Sequence, residues 1–196
     1  MTPKQKERLQ KKIVDIKRTL ASEKRKFRFY DDSSGIRYLP TKYFIRIADY
    51  RGGLVYTKWF DKNFPGDSGF PEFLFEWTLI LFKNGKTIES EKKAIQTFFS
   101  NTYIFDKFLD KKFLTFDKYE GSDWERVSMT NQFGYSLTQS ELMDFADWLT
   151  QFLTSDRFYR IANKFIEIEH RLKTEPVGST RTRLVSKRYS LLEEYK

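Results

Sequence analysis

Few side chains in this chain could make or break bonds. Its one histidine, His170, lies between Glu169 and Arg171 near the end of an expected helix. An exposed or hydrogen-bonded ring is the ordinary outcome there. Cysteine is absent, which removes disulfides, thiolate nucleophiles and thiolate metal sites. Neither a G-x-x-x-x-G-K-[ST] loop nor a G-x-G-x-x-G turn occurs, so the common phosphate cradles are missing. Carboxylate pairs stand at Asp31/Asp32 and Asp144/Asp147, but acids at turns and on helix surfaces are usually solvated. The expectation is a protein that is not an enzyme, has no metal site or cofactor, and works by recognition.

Recognition chemistry is carried by cations and aromatic rings. The net charge of +9 is uneven. Residues 1–28 hold 11 Lys/Arg against Glu7, Asp15 and Glu23, a net +8, and residues 171–196 hold seven against three, a net +4. The stretch between is weakly acidic. Lys11, Lys12, Lys17, Arg18, Lys24, Arg25, Lys26 and Arg28 crowd one segment, a density that would neutralise several phosphates. Arg181, Arg183, Lys187 and Arg188 would join that patch only if the two ends met in space. Basic helices are also ordinary solvated faces, so nucleic-acid binding stands as an alternative reading.

The element that presents the first cluster is the clearest in the chain. Leu9, Ile13, Ile16 and Leu20 recur at steps of four, three and four, an apolar stripe of helical period over residues 3–28. Pro3 suits a first helical turn. The stripe would pack on the protein's own body, although it also suits a partner helix. Asp31-Asp32-Ser33-Ser34-Gly35 reads as the turn that follows.

Beyond that turn a pattern occurs twice. Thr41, Ala48 and Gly53 recur 37 residues later as Thr78, Gly85 and Ser90, and Phe44 recurs as Leu81. Small residues let helix backbones approach closely, which predicts two helical hairpins stacked on each other over residues 38–102. Pro65 stops the first and Lys83-Asn84-Gly85 breaks the second. This arrangement resembles the tetratricopeptide repeat. The resemblance rests on Asp49-Tyr50-Arg51-Gly52-Gly53-Leu54 leading to Pro65, and on Trp77, Thr78, Leu81, Gly85, Ser90 and Ala94 in the second copy, where Thr102 stands in place of the proline.

The resemblance implies a concave groove lined by the first helix of each pair. Its positions fall on Tyr38, Lys42, Ile45 and Arg46 in copy one and on Glu72, Phe75, Leu79, Phe82 and Lys83 in copy two. Tyr38, Lys42, Arg46, Phe75 and Lys83 would then hold an extended peptide with an acidic group. The plainer account of Phe75, Leu79 and Phe82 is a covered core. Two copies are fewer than the three such stacks usually need, so flanking helices must cap them.

Residues 103–138 show no sustained period, with Phe113, Phe116, Tyr119 and Trp124 scattered among Gly, Ser, Asp and Asn. Helical pattern resumes over 139–196: Leu142, Phe145, Leu149, Phe152 and Leu153 form one face, Ser155 opens a second helix to Leu172, and Leu184, Val185, Tyr189, Leu191, Leu192 and Tyr195 mark a last one. The longest apolar stretch, Phe73 to Phe82, is far short of the roughly 20 residues a membrane span needs, and no apolar run of secretory type follows the basic start. The expectation is therefore an all-α protein of one domain in the cytoplasm. It binds a protein partner through a helical groove or its long N-terminal helix, with nucleic acid as the alternative partner and no role at a membrane. The oligomeric state is left open.

Overall fold

A computed structural model describes residues 1–30 and 32–194; Asp31 of the expected turn and Tyr195 of the last apolar face lie outside them. The described residues form nine α-helices and short 3-10 turns, with no strand. The fold is all-α. The chain divides into two compact units. The first comprises Met1–Gly69 with Leu79–Lys86, and the second Phe70–Thr78 with everything from Thr87 onward.

In the first unit, α1 (Pro3–Phe27) starts with Thr2, whose side chain accepts a bond from the Gln5 N–H while the Gln5 side chain bonds back to Thr2. It ends at Arg28, which turns left-handed with φ 67°. Lys24, Arg25 and Lys26 fill the last turn, where cations suit the helix dipole. Ile13 and Leu20 are buried and Leu9 and Ile16 half-buried, so the apolar stripe faces the protein's own body. It meets α2 (Leu39–Arg46) and α3 (Tyr50–Asn63): Ile13 packs with Phe44, Ile47 and Tyr56, and Leu9, Tyr43 and Trp59 surround that cluster.

The repeat is visible in the helix boundaries. Helix α2 ends at Arg46 and α4 (Pro71–Lys83) at Lys83, while α3 spans Tyr50–Asn63 and α5 Thr87–Ser100, each pair displaced by the same 37 residues. Both first helices stop in the same way. Asp49 N–H bonds Phe44 C=O and Ala48 N–H bonds Ile45 C=O; 37 residues on, Lys86 N–H bonds Leu81 C=O and Gly85 N–H bonds Phe82 C=O. This is the Schellman pattern, with Ala48 (φ 55°) and Gly85 (φ 67°) in the left-handed position.

The repeated small residues therefore divide into two kinds. Thr41, Gly53, Thr78 and Ser90 are buried, as close packing requires. A Cβ on Gly53 would lie 3.0 Å from Ile80 Cδ1, which fixes how near α3 comes to the end of α4. Thr78 Oγ1 lies 3.2 Å from Thr97 Oγ1, so α4 and α5 touch through hydroxyls. Ala48 and Gly85, expected at helix crossings, are instead exposed. They are small because the chain turns left-handed there, where a Cβ costs energy.

In the second unit, α6 (Ile104–Phe108), α7 (Met143–Leu153), α8 (Asp156–Thr174) and α9 (Ser179–Ser190) follow α5. Phe75 is fully buried, its ring centroid 4.9–6.3 Å from those of Phe105, Phe108, Phe133, Tyr135 and Phe145. Ser155 caps α8 by accepting the Phe158 N–H. Helix α7 starts after a 3-10 turn at Ser140–Leu142, a few residues beyond where the helical pattern resumes. The long connection before it is ordered by backbone acceptors. Asn101 Nδ2 donates to Trp124 C=O and Arg126 C=O, Leu137 N–H bonds Phe108 C=O, and Tyr119 N–H bonds Glu169 C=O.

Candidate functional site

The helical repeat sets where the cations of α1 point. Residues 17, 21, 24 and 28 follow one another by four, three and four positions, so Lys17, Ala21, Lys24 and Arg28 lie along one side, with Arg18 and Arg25 beside them. Across from this side stands α3. Between them, within the first unit, is a cleft of about 640 Å³. Five cations line it: Lys17, Arg18, Lys24, Arg25 and Arg28. Tyr30 and Trp59 supply aromatic surface above the buried Tyr56, Ala21 and Val55 supply aliphatic surface, and no carboxylate takes part.

The aromatic floor is held from below. Tyr56 is buried and its hydroxyl donates to Arg37 C=O at 2.5 Å. Its ring lies 5.3 Å from that of Trp59, which meets Tyr30 edge-on at 5.8 Å. Asn63, in the last turn of α3, anchors one end of the cleft. Its Oδ1 accepts from Lys24 Nζ at 2.9 Å and from the Tyr30 hydroxyl at 2.8 Å, and its Nδ2 donates to Trp59 C=O. Lys24 also sits 4.9 Å from the Tyr30 ring centroid and Lys17 5.8 Å from that of Tyr56.

These cations are poorly neutralised. Arg18 meets Asp15 at 3.5 Å, with both side chains largely exposed, a contact worth little in water. Among the described residues Lys17, Lys24, Arg25 and Arg28 form no ion pair. Five positive groups around a recess lacking acids attract an anion.

The other expected cations fare differently. On α1, Lys12 lies over the Tyr43 ring, Lys26 over Phe27, and Lys11 is exposed; none lines the cleft. At the other end of the chain, Arg181 is consumed by structure. Its guanidinium donates to Leu172 C=O at 2.6 Å and Glu175 C=O at 2.8 Å, ending α8. Arg188 bonds the buried Glu169 at 3.1 Å. Burial pushes the Glu169 carboxyl up, and Arg188 opposes that. Arg183 and Lys187 remain exposed, so of the four C-terminal cations only these two keep their charge at the surface.

The expected groove residues separate in the same way. Phase and burial correct Phe75: it is a core ring and presents no surface to a partner. Leu79 and Ile45 are likewise buried. The Tyr38 hydroxyl donates to Asp67, and Arg37 stacks on the Tyr38 ring at 4.3 Å. Lys83 lies over Tyr50, Lys42 is half-buried and Arg46 exposed. Glu72 and Phe82 are half-buried.

His170 is exposed, with Nδ1 3.0 Å from Asp117 C=O and 3.2 Å from Asp117 Oδ2, and Lys173 bonds the same carboxylate. Among the described residues no group of three or more His, Asp or Glu side chains is placed to hold a metal, and no helix is long and apolar enough to cross a membrane. What the residue pattern missed is the aromatic half of the cleft. Tyr30 and Trp59 come from a linker and another helix, and packing of α1 on α3, with Ile13 in one cluster with Tyr56 and Lys24 bonded to Asn63, brings them beside the cations. Comparison with known protein families, with curated proteins and with solved structures finds no match for this chain.

Proposed function

We propose that this protein is a non-catalytic binding module that holds an anionic partner in the cleft between α1 and α3. One observation carries the reading: five cations surround a recess with an aromatic floor and no carboxylate. Of the two expected surfaces, the hairpin groove and the long N-terminal helix, the helix supports this reading better, because Phe75 and Leu79 are core. A tetratricopeptide-like relationship remains part of the proposal, supported by the two matched Schellman ends and the common 37-residue displacement. So does a cytoplasmic setting, which suits a chain without cysteine.

The test is retention on immobilised heparin, a generic polyanion. Replacing Arg25→Glu and Arg28→Glu together changes two exposed side chains and should elute the protein at clearly lower salt, with an unchanged circular-dichroism spectrum. Arg183→Glu with Lys187→Glu makes the same change in charge in α9 and should shift elution less. Equal shifts from the two pairs would mean that net charge, not the cleft, drives retention.

A further inference from the structure

We infer that the occupant of the cleft is single-stranded nucleic acid, its phosphates on the α1 cations and an unpaired base against Trp59 and Tyr30. The inference rests on the anion-binding reading above and names the class of anion. The cations extend from Lys17 to Arg28, a rise of roughly 16 Å along the helix. One strand of helical nucleic acid presents about five phosphates over that length. An acidic polypeptide would satisfy the charges but leave the rings without a matching face. Bases supply that face, and every base has one, so stacking tolerates sequence.

Shape selects against the duplex. A recess of about 640 Å³ lies within the roughly 300–1,000 Å³ of small-ligand pockets, too small for paired strands. A base in a duplex is stacked on both faces and reaches a protein ring only when extruded. Beside the cleft, Phe27 and Phe29 are exposed at 41% and 61%, with ring centroids 6.1 Å apart. They flank Arg28, whose left-handed φ of 67° ends the helix there. Exposed rings interleaved with Arg25, Lys26 and Arg28 extend the same combination of charge and stacking surface past the end of α1.

The experiment is fluorescence polarisation of the full chain with labelled oligothymidylate and oligouridylate of about 10 nucleotides, a length within one single-strand site. Competitors are a duplex of similar length, heparin and polyglutamate. Single strands should bind more tightly than the duplex, and affinity should fall about 50- to 130-fold between 50 and 200 mM salt if four or five phosphates are neutralised. Trp59→Leu and Tyr30→Ala should each weaken single-strand binding by roughly 5- to 150-fold, a far larger loss than either produces in heparin elution. Val55→Asp places an acid in the lining from an exposed position and should weaken both. Tyr30→Ala and the competition by duplex keep the test decisive if Trp59→Leu fails to fold.

Equal affinity for single strand, duplex and heparin, indifferent to Trp59 and Tyr30, overturns this inference and leaves the anion-binding reading standing. Preference for polyglutamate overturns it in favour of an acidic protein. No binding to any probe, with heparin elution unmoved by Arg25→Glu/Arg28→Glu, overturns both.

Discussion

The side chains that hold the first unit's entry turn form one connected network. Asp32 accepts the Ile36 and Arg37 N–H groups and the Arg37 guanidinium, which also bonds Asp67 at 3.0 Å. Asp67 in turn accepts the Tyr38 hydroxyl at 2.8 Å. Burial, followed by that bond to the Asp67 carboxylate, pushes the Tyr38 phenol up to about 12. Burial and the Glu120 carboxylate do the same for Tyr103, and burial drives Tyr56 higher still. An unfolded tyrosine ionises near about 10. The native state therefore holds these protons more tightly than the unfolded chain. The stability they contribute is complete below about pH 10 and drains away as pH climbs towards 12. Phenolate absorbance should accordingly show a delayed, cooperative phase that coincides with loss of helical signal. Titration of all tyrosines as one set near pH 10, ahead of any unfolding, would contradict the burial of Tyr56 and Tyr103 and the bond of Tyr38 to Asp67.

At the scale of elements, the two matched helix ends make a paired test. Ala48 and Gly85 occupy the same left-handed position of the same motif. Only one of them is the residue that position favours, because a Cβ there crowds the following carbonyl. Ala48→Gly should stabilise the fold by about 0.5–1 kcal/mol, the relief of that crowding outweighing the extra freedom of glycine in the unfolded chain. Gly85→Ala should destabilise it by about 1 kcal/mol. Denaturant midpoints at constant slope measure both, and a destabilising Ala48→Gly would refute the assigned turn.

The same pair marks what could be read from sequence and what could not. The stripe of Leu9, Ile13, Ile16 and Leu20 announced both α1 and its buried side, since period and burial are the same signal. Pro65 marked the stop after α3 and Gly85 the break after α4, because proline and glycine act locally, whereas Gly53 lies inside α3. A small residue has two meanings, close packing and left-handed turning, and spacing alone does not separate them. The cleft was half legible. Its cations are neighbours on one helix, but Trp59 and Tyr30 join them only through packing between segments far apart in the chain. Residues 103–138 gave no sustained period because much of their order comes from bonds to backbone groups, as between Asn101 and Trp124 or Tyr119 and Glu169, which leave no pattern in the side chains.

For the molecule as a whole, the basic start of the chain looks like a detachable tail by charge and is not one by packing. It supplies +8 of a net +9, yet Ile13 and Leu20 are 5% and 0% exposed. Burying each such side chain is worth about 1.5–3 kcal/mol, against a total stability of only about 5–15 kcal/mol for an ordinary domain. Removing residues 1–28 would also uncover Phe44, Ile47 and Tyr56. The truncated chain should bind a hydrophobic dye and lose more helical signal than α1 alone accounts for. Arg25→Glu with Arg28→Glu should instead cost only about 0.5–1.5 kcal/mol, the loss of favourable charge at the end of α1, because those side chains are exposed. Arg25 and Arg28 face solvent while Ile13 and Leu20 are buried, so binding can be weakened through those two cations without unfolding. A truncated chain that keeps a cooperative transition and native helicity would show that α1 is an appendage and that its buried stripe does not hold the first unit together.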